Sequence, residues 1–273
     1  MSIQVNKLSF HYPDGSETLK AIDLAIEQGE QVALMGSNGA GKTTLIKHLN
    51  GLLQPTQGWV RINGRDTRQC QPEDLVDWVG LVFQNPDNQL FAATVAREIA
   101  FGPKNMGISA KSVDRMTREA MHRTGISSFA RRNPYDLSPS ERKRVALAAV
   151  LSMSPQVYLL DEPTQGQDHF GLEIVRRVIA HLKRSNKSVI AITHDVDFAV
   201  ANFDRAVIMC RGRIVADGPM SAIATEMGIS HRSLARPQMI AIGRKLGFKT
   251  TLLRPKMLVD RLLRKRKESC ASL

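Results

Sequence analysis

Residues 31–53 are QVALMGSNGAGKTTLIKHLNGLL, and this stretch decides the fold. An apolar, β-rich run over 31–36 delivers the chain into a Gly-X-X-X-X-Gly-Lys-Thr loop formed by Gly36, Gly41, Lys42 and Thr43. An amphipathic helix is predicted next, with Leu45, Ile46, Leu49 and Leu53 on its buried side. Strand, phosphate cradle and helix stand in the order that a P-loop requires. Glycine at 36, 39 and 41 permits backbone conformations that a Cβ forbids. Amides of the segment Ser37, Asn38, Gly39, Ala40, Gly41 and Thr44 can then converge on one anion at the positive end of the helix. In such a loop Lys42 reaches the β- and γ-phosphates as a point charge, and the Thr43 hydroxyl holds Mg²⁺. By itself the loop specifies a nucleotide and nothing more.

The 273 residues, 42% of them hydrophobic, suffice for a sizeable core in one large domain or two unequal ones. No run approaches the roughly 18 consecutive apolar residues of a membrane span, and MSIQVNKLSF lacks a signal-peptide layout, so the chain is expected in the cytosol. Cys70, Cys210 and Cys270 are too far apart for a zinc site or a disulfide framework. The net charge of +12 is concentrated at the end, where Arg244, Lys245, Lys249, Arg254, Lys256, Arg261 and residues 264–267 face only Asp260 and Glu268. Nucleic acid, an anionic leaflet and solvent all suit such a tail.

Outward from the P-loop, residues 3–10 and 19–26 suggest an antiparallel pair around the turn Pro13-Asp14-Gly15. Within the second strand, Lys20, Ile22, Leu24 and Ile26 form the more apolar face, opposite Leu19, Ala21, Asp23 and Ala25. Residues 59–62 are a short strand before the hairpin signal Asn63-Gly64, and 79–83 another. From 94 to about 130 the pattern is helical and polar, with interruptions at Gly102-Pro103 and Gly125, as in an inserted subdomain. A second helical stretch covers 137–153 and starts at Ser138-Pro139. Strands at 157–160, 188–193 and 205–210 alternate with a helix at 169–182, which argues for an α/β core with a largely parallel sheet. Past Gly218-Pro219 the strand signals stop, and short helices are predicted over 237–246 and 255–266.

Phosphoryl transfer on a P-loop needs a carboxylate for the Mg²⁺ shell, a group that acts on water and a sensor of the γ-phosphate. The apolar strand 157–160 ends in Asp161, as a Walker B aspartate does; Glu162 follows it, and His194 ends a later strand. In open α/β sheets ligands bind at that strand edge. With these residues in place, the sequence resembles the nucleotide-binding subunit of an ATP-binding cassette (ABC) transporter over residues 3–218. The resemblance implies a glutamine loop at Gln84, beside metal and attacking water, a signature region at Leu137-Ser138, a D-loop Asp168 and a switch His194. It also implies Tyr12 as the aromatic stacked on adenine, and ATP sandwiched between two such subunits. The fold it implies is a P-loop NTPase core (1–218) with a mostly parallel sheet, an N-terminal antiparallel β subdomain and an inserted helical subdomain at about 94–153. A short, basic helical extension (219–273) follows. Residues 83–91, with Thr94-Val95 and Phe101-Gly102-Pro103, resemble the ATPases of energy-coupling-factor importers of vitamins and transition metals, and the tail over 234–247 resembles the C-terminal extension of that group. That group's ATPases sit on the cytoplasmic face of the membrane, and the surface at 84–91, with Leu90 and Phe91, would receive the coupling helix of a membrane-embedded partner.

One departure stands out. The family signature Leu-Ser-Gly-Gly-Gln is here Leu137-Ser138-Pro139-Ser140-Glu141. Pro139 has no N–H, Ser140 adds a side chain expected beside the phosphate, and Glu141 places a negative charge where a neutral amide belongs. A second, different ATPase subunit with an unmodified signature is therefore favoured over a homodimer. A regulatory subunit that does not hydrolyse ATP is disfavoured by Glu162 and His194. A soluble ABC ATPase acting on nucleic acid has only the basic balance in its favour, so no nucleic-acid partner is expected.

Overall fold

The computed structural model describes residues 3–226 and 237–246, together with Phe248, Met257, Val259 and Asp260. Among them the strands form two sheets. The first is antiparallel, in the order β2 (Glu17–Ile26), β1 (Ile3–His11), β4 (Gln57–Ile62), β5 (Arg65–Asp66). The second runs β10 (Arg213–Pro219), β9 (Arg205–Cys210), β3 (Gln31–Gly36), β8 (Ser188–Ile192), β7 (Val157–Asp161), β6 (Val79–Val82), parallel except for the edge strand β10. The helices are α1 (Lys42–Leu49), α2 (Val95–Asn105), α3 (Ala110–Arg123), α4 (Pro139–Met153), α5 (His169–Arg184), α6 (Val196–Asn202), α7 (Met220–Glu226) and α8 (Gln238–Lys245).

Every residue of β3, β7 and β8 is buried, and their alternation divides the core in two. Ala33, Met35, Tyr158, Leu160, Val189 and Ala191 pack with residues of α4, α5 and α6. Val32, Leu34, Val157, Leu159, Ile190 and Ile192 pack with α1 and the antiparallel sheet. Fully burying an aliphatic side chain stabilises by roughly 1.5–3 kcal/mol, so both faces are committed. The first cluster also takes Met220, Ile223 and Ala224 from α7 and Ile240 from α8, so the core extends past residue 218.

Several expectations are corrected. In β2, Leu19 is buried together with Ile22, Leu24 and Ile26 rather than on the opposite face. Ala21 has φ +48 and donates its N–H to the Ser9 hydroxyl; this irregularity shifts the pairing from Phe10↔Leu19 to Leu8↔Ile22. Leu53 lies beyond α1, which stops at Leu49, and it packs on the core only in part. The strand β10 and the helices α6 and α7 were not anticipated. The helix predicted over 255–266 falls largely outside the described residues.

Gly102-Pro103 does not interrupt the chain; α2 runs through both residues. Pro103 has no N–H for the Ile99 carbonyl one turn back. The buried Ser152 of α4 supplies the missing donor: its Oγ lies 2.7 Å from Ile99 O and 2.8 Å from Ala149 O. Gly102 allows the same close approach, since a Cβ there would meet Met153 Sδ at 2.5 Å. α4 thus touches α2 and α3 on one side and β6 on the other, which explains why its apolar residues do not keep to one face.

α4 begins with a capping box. Ser138 Oγ accepts from Glu141 N–H, and the Glu141 carboxylate accepts from Ser138 N–H at 2.8 Å. The second bond holds the Glu141 carboxyl below the ordinary glutamate range.

Two outcomes are expected. Ser152→Ala, which leaves Ile99 O buried without its donor, lowers unfolding stability in urea by about 1–3 kcal/mol; an unchanged midpoint refutes this pairing. A depressed carboxyl pKa contributes stability that is present above the unfolded-state value and lost as pH falls through the folded-state value. The gap in unfolding midpoint between wild type and Glu141→Ala is therefore complete at neutral pH and closes in acid, below the ordinary glutamate range. A gap that stays constant across that range removes the capping box as its cause.

Candidate active site

The P-loop is built by close backbone approach. At Gly36 (φ +147) a Cβ would lie 2.1 Å from Met209 O of β9, and at Gly41 (φ +97) it would lie 2.9 Å from Thr18 O of β2. Only glycine fits either position. Gly212, in the turn between β9 and β10, donates to Ala40 O at 3.1 Å and steadies the loop from the side. α1 starts at Lys42 with Gly41 as N-cap, no side-chain acceptor and no acid in its first turn. Its leading N–H groups and positive dipole end are thus suited to an external anion. Lys42 Nζ donates to Gly36 O and Ser37 O, both at 2.9 Å. Burial draws its pKa down, against the pull of Glu162 and Asp161.

β7 carries Asp161 to the same edge of the sheet. Thr43 Oγ1 donates to Asp161 Oδ2 at 3.2 Å, while Asp161 Oδ1 is buried without a partner. Burial raises the Asp161 pKa, and the Thr43 hydroxyl opposes that rise. An unpartnered carboxylate oxygen beside a hydroxyl is the oxygen-rich donor set that a hard divalent cation takes, so these residues fit Mg²⁺. Glu162 is buried with φ +49, a strained conformation for a side chain of its kind, and donates its N–H to Ile192 O at 3.0 Å. His194 Nδ1 approaches Glu162 Oε2 to 3.0 Å, off the line of a hydrogen bond. Gln84 Nε2 donates to Gln165 Oε1 at 2.8 Å.

A cavity of about 360 Å³ is lined by Asn38, Gly39, Ala40, Gly41, Lys42, Thr43, Thr44, Gln84, Asp161 and Glu162; Gly36, Ser37 and His194 do not line it, and His194 stands behind Glu162. Thr18 and Ile192 also line it. Neither belongs to a sequence motif; each is there because its strand end reaches the loop. Tyr12 stands beside the cavity, its hydroxyl 3.2 Å from Thr44 Oγ1 and its ring edge-on to Phe10. Ser138 and Asp168 do not line it. They are the N-caps of α4 and α5, and Asp168 Oδ1 accepts from Gly171 N–H.

Between those two caps lies a further correction. Ser140 is 6% exposed, and its Oγ bonds Gln167 Oε1 at 2.8 Å and Asp168 Oδ1 at 3.1 Å. It points into its own D-loop and not toward a phosphate position.

Comparison with known proteins agrees with this geometry. Residues 19–165 match the ABC transporter family. The energy-coupling factor transporter ATP-binding protein EcfA of Methanosphaera stadtmanae is 41% identical over 226 residues, covering 82% of this chain and 81% of that protein. The structure of cbiO1 from Clostridium perfringens, part of the ABC transporter complex cbiONQ, superposes with a TM-score of 0.75 at 32% identity, covering 90% of this chain and 98% of that one. The ATP-binding cassette MJ0796, solved as a dimer in a post-hydrolysis state with ADP and Pi, gives a TM-score of 0.73 at 25% identity, covering 80% of this chain and 98% of that one. The chain therefore belongs to the ABC transporter family, as an ATP-binding subunit of the energy-coupling-factor type.

Proposed function

We propose that the chain binds Mg·ATP in the P-loop cavity and hydrolyses it to drive uptake of a micronutrient, a metal ion or vitamin, through separate membrane subunits. The observation that carries this reading is the convergence of Lys42, Thr43, Gln84, Asp161 and Glu162 on one cavity. In this reading the 37–44 amides and Lys42 hold the phosphates, and Tyr12 supports the adenine. Thr43, Asp161 and Gln84 hold Mg²⁺, which when bound neutralises charge that builds on the transferred phosphoryl group. Glu162 accepts a proton from the attacking water, and His194, in contact with Glu162, senses the γ-phosphate.

The partners follow from two surfaces. A second ATPase subunit would close the site by setting its signature against this P-loop, with Ser138 and Asp168 of this chain at the shared interface. Here the Glu141 carboxylate accepts from Ser138 N–H, which takes up that donor and sets a negative charge beside the Ser138 hydroxyl, while Pro139 has no N–H to offer. Loss of one well-placed donor to a developing anion typically slows turnover by about 10² to 10³. The two sites of the assembly are therefore unequal, and the partner that completes the site at Lys42 is a different chain.

A membrane-embedded subunit would dock beside the glutamine loop. Leu90, expected at that surface, is instead 3% exposed and belongs to the core. The apolar surface is formed by Phe91 (60% exposed) and Phe101, stacked edge to face at 4.7 Å, with Tyr135 alongside, its hydroxyl on Leu90 O. From beneath, the buried Glu98 accepts from both Phe91 N–H and Ala92 N–H. No helix among the described residues is long and apolar enough to cross a membrane, so attachment at the cytoplasmic face rests on this partner.

Glu162→Gln is expected to keep ATP binding and to lose about 10² to 10⁴ in hydrolysis, the usual contribution of a positioned base; unchanged turnover means that another group acts on water. Affinity purification from membranes should bring down a membrane subunit and a second ATPase chain. An isolated homodimer with two equally active sites defeats the unequal-site reading.

A further inference from the structure

Glu162 has to hold a left-handed backbone conformation that a non-glycine residue adopts only when its surroundings enforce it. Its N–H is tied to Ile192 O of β8, which fixes one side of the residue. Its carbonyl has two donors. One is local, the N–H of Gln165 at 3.2 Å. The other crosses from α4: Lys143 Nζ donates to Glu162 O at 3.1 Å.

The Lys143 side chain is half-buried, and burial lowers its pKa while the charges of Glu162 and Asp161 raise it. It therefore stands as a second cation near the two carboxylates, with Lys42 as the first. The two differ in their place. Lys42 belongs to the phosphate loop and bonds Gly36 O and Ser37 O, whereas Lys143 approaches from the side of α4 and bonds the peptide that follows Glu162. One turn earlier on the same helix, Ser140 Oγ holds Asp168. The first turns of α4 thus grip the 162–168 loop at both ends.

We propose that Lys143 is a positioning residue for ATP hydrolysis, its ammonium fixing the Glu162 peptide and with it the direction from which the Glu162 carboxylate meets water. This rests on the reading of Glu162 as the group that acts on water. Lys143 is not among the residues that line the P-loop cavity; it acts through Glu162. A group held in productive geometry loses rate steeply on small displacement, while ground-state binding of the nucleotide, made by other residues, is untouched.

The test uses the full-length chain in its assembled transporter, with Lys143→Met, which keeps a stem of similar length without donor or charge, and Lys143→Arg, which restores both. Lys143→Met is expected to lower kcat about 10- to 100-fold, with KM for ATP and equilibrium nucleotide binding within about twofold of wild type. Lys143→Arg recovers most of the lost kcat. Added to Glu162→Gln, Lys143→Met costs nothing further, because both act on one step. An unaltered kcat in Lys143→Met overturns the proposal. So does a joint fall of kcat, nucleotide affinity and unfolding midpoint, which is what a purely structural anchor produces. If Glu162→Gln itself keeps full turnover, the reading beneath fails, and the proposal with it; if Glu162→Gln is inactive and Lys143→Met is not, only the role of Lys143 fails.

Discussion

Burial of β3, β7 and β8 on both faces is the constraint from which the rest of the molecule follows. A strand covered on both sides cannot alternate apolar and polar residues, and its polar chemistry is pushed to its ends. Because these strands run parallel, the ends that carry Gly36, Asp161 and the Thr193-His194 step all lie at one edge of the sheet. The site is thus assembled by the core. Nothing in the loops has to bring the P-loop, Asp161, Glu162 and His194 together, since the register of β3 with β8 and of β8 with β7 already does so.

Against that rigid edge, α4 is the element that joins everything else. Ser152 replaces a backbone donor that α2 lacks, Arg144 donates to Thr124 O and Gly125 O behind α3, Lys143 reaches Glu162, and Ser140 reaches the D-loop. Ser140, Lys143 and Arg144 share one face of this largely buried helix, and Ser152 continues the same i+4 row two turns on. The helices α2 and α3 and the 162–168 loop therefore share one support.

Most of the site was legible in the sequence because each part is a short motif joined to an unbroken apolar run. The runs 31–36 and 157–160 are short, apolar and β-rich, and they lead into the glycine loop before Lys42 and into Asp161. The readings that failed depended on contacts between distant segments. Gly102-Pro103 has the local chemistry of a helix break, and the donor for the Ile99 carbonyl that Pro103 leaves free comes from Ser152 on another helix. The alternation of β2 misplaced Leu19 because a single residue with positive φ changes the face without altering the composition. β10 escaped because an edge strand with every second residue exposed, ending in Gly218 and Pro219, has the composition of a loop. From its place in the signature Ser140 reads as a phosphate neighbour, whereas its hydroxyl is engaged by Gln167 and Asp168 of its own chain.

The carboxylate of Glu98 has a thermodynamic consequence for assembly. Two consecutive amides, those of Phe91 and Ala92, are bound to a single buried oxygen, so the backbone beneath the exposed aromatic pair is already in one conformation before anything docks on it. Association normally loses free energy in ordering loops and side chains at the contact, roughly 0.5–1.5 kcal/mol for each flexible side chain immobilised. Here the folding of the subunit has met much of that entropic cost in advance. The aromatic pair is thus presented on a backbone that a docking partner would not have to order.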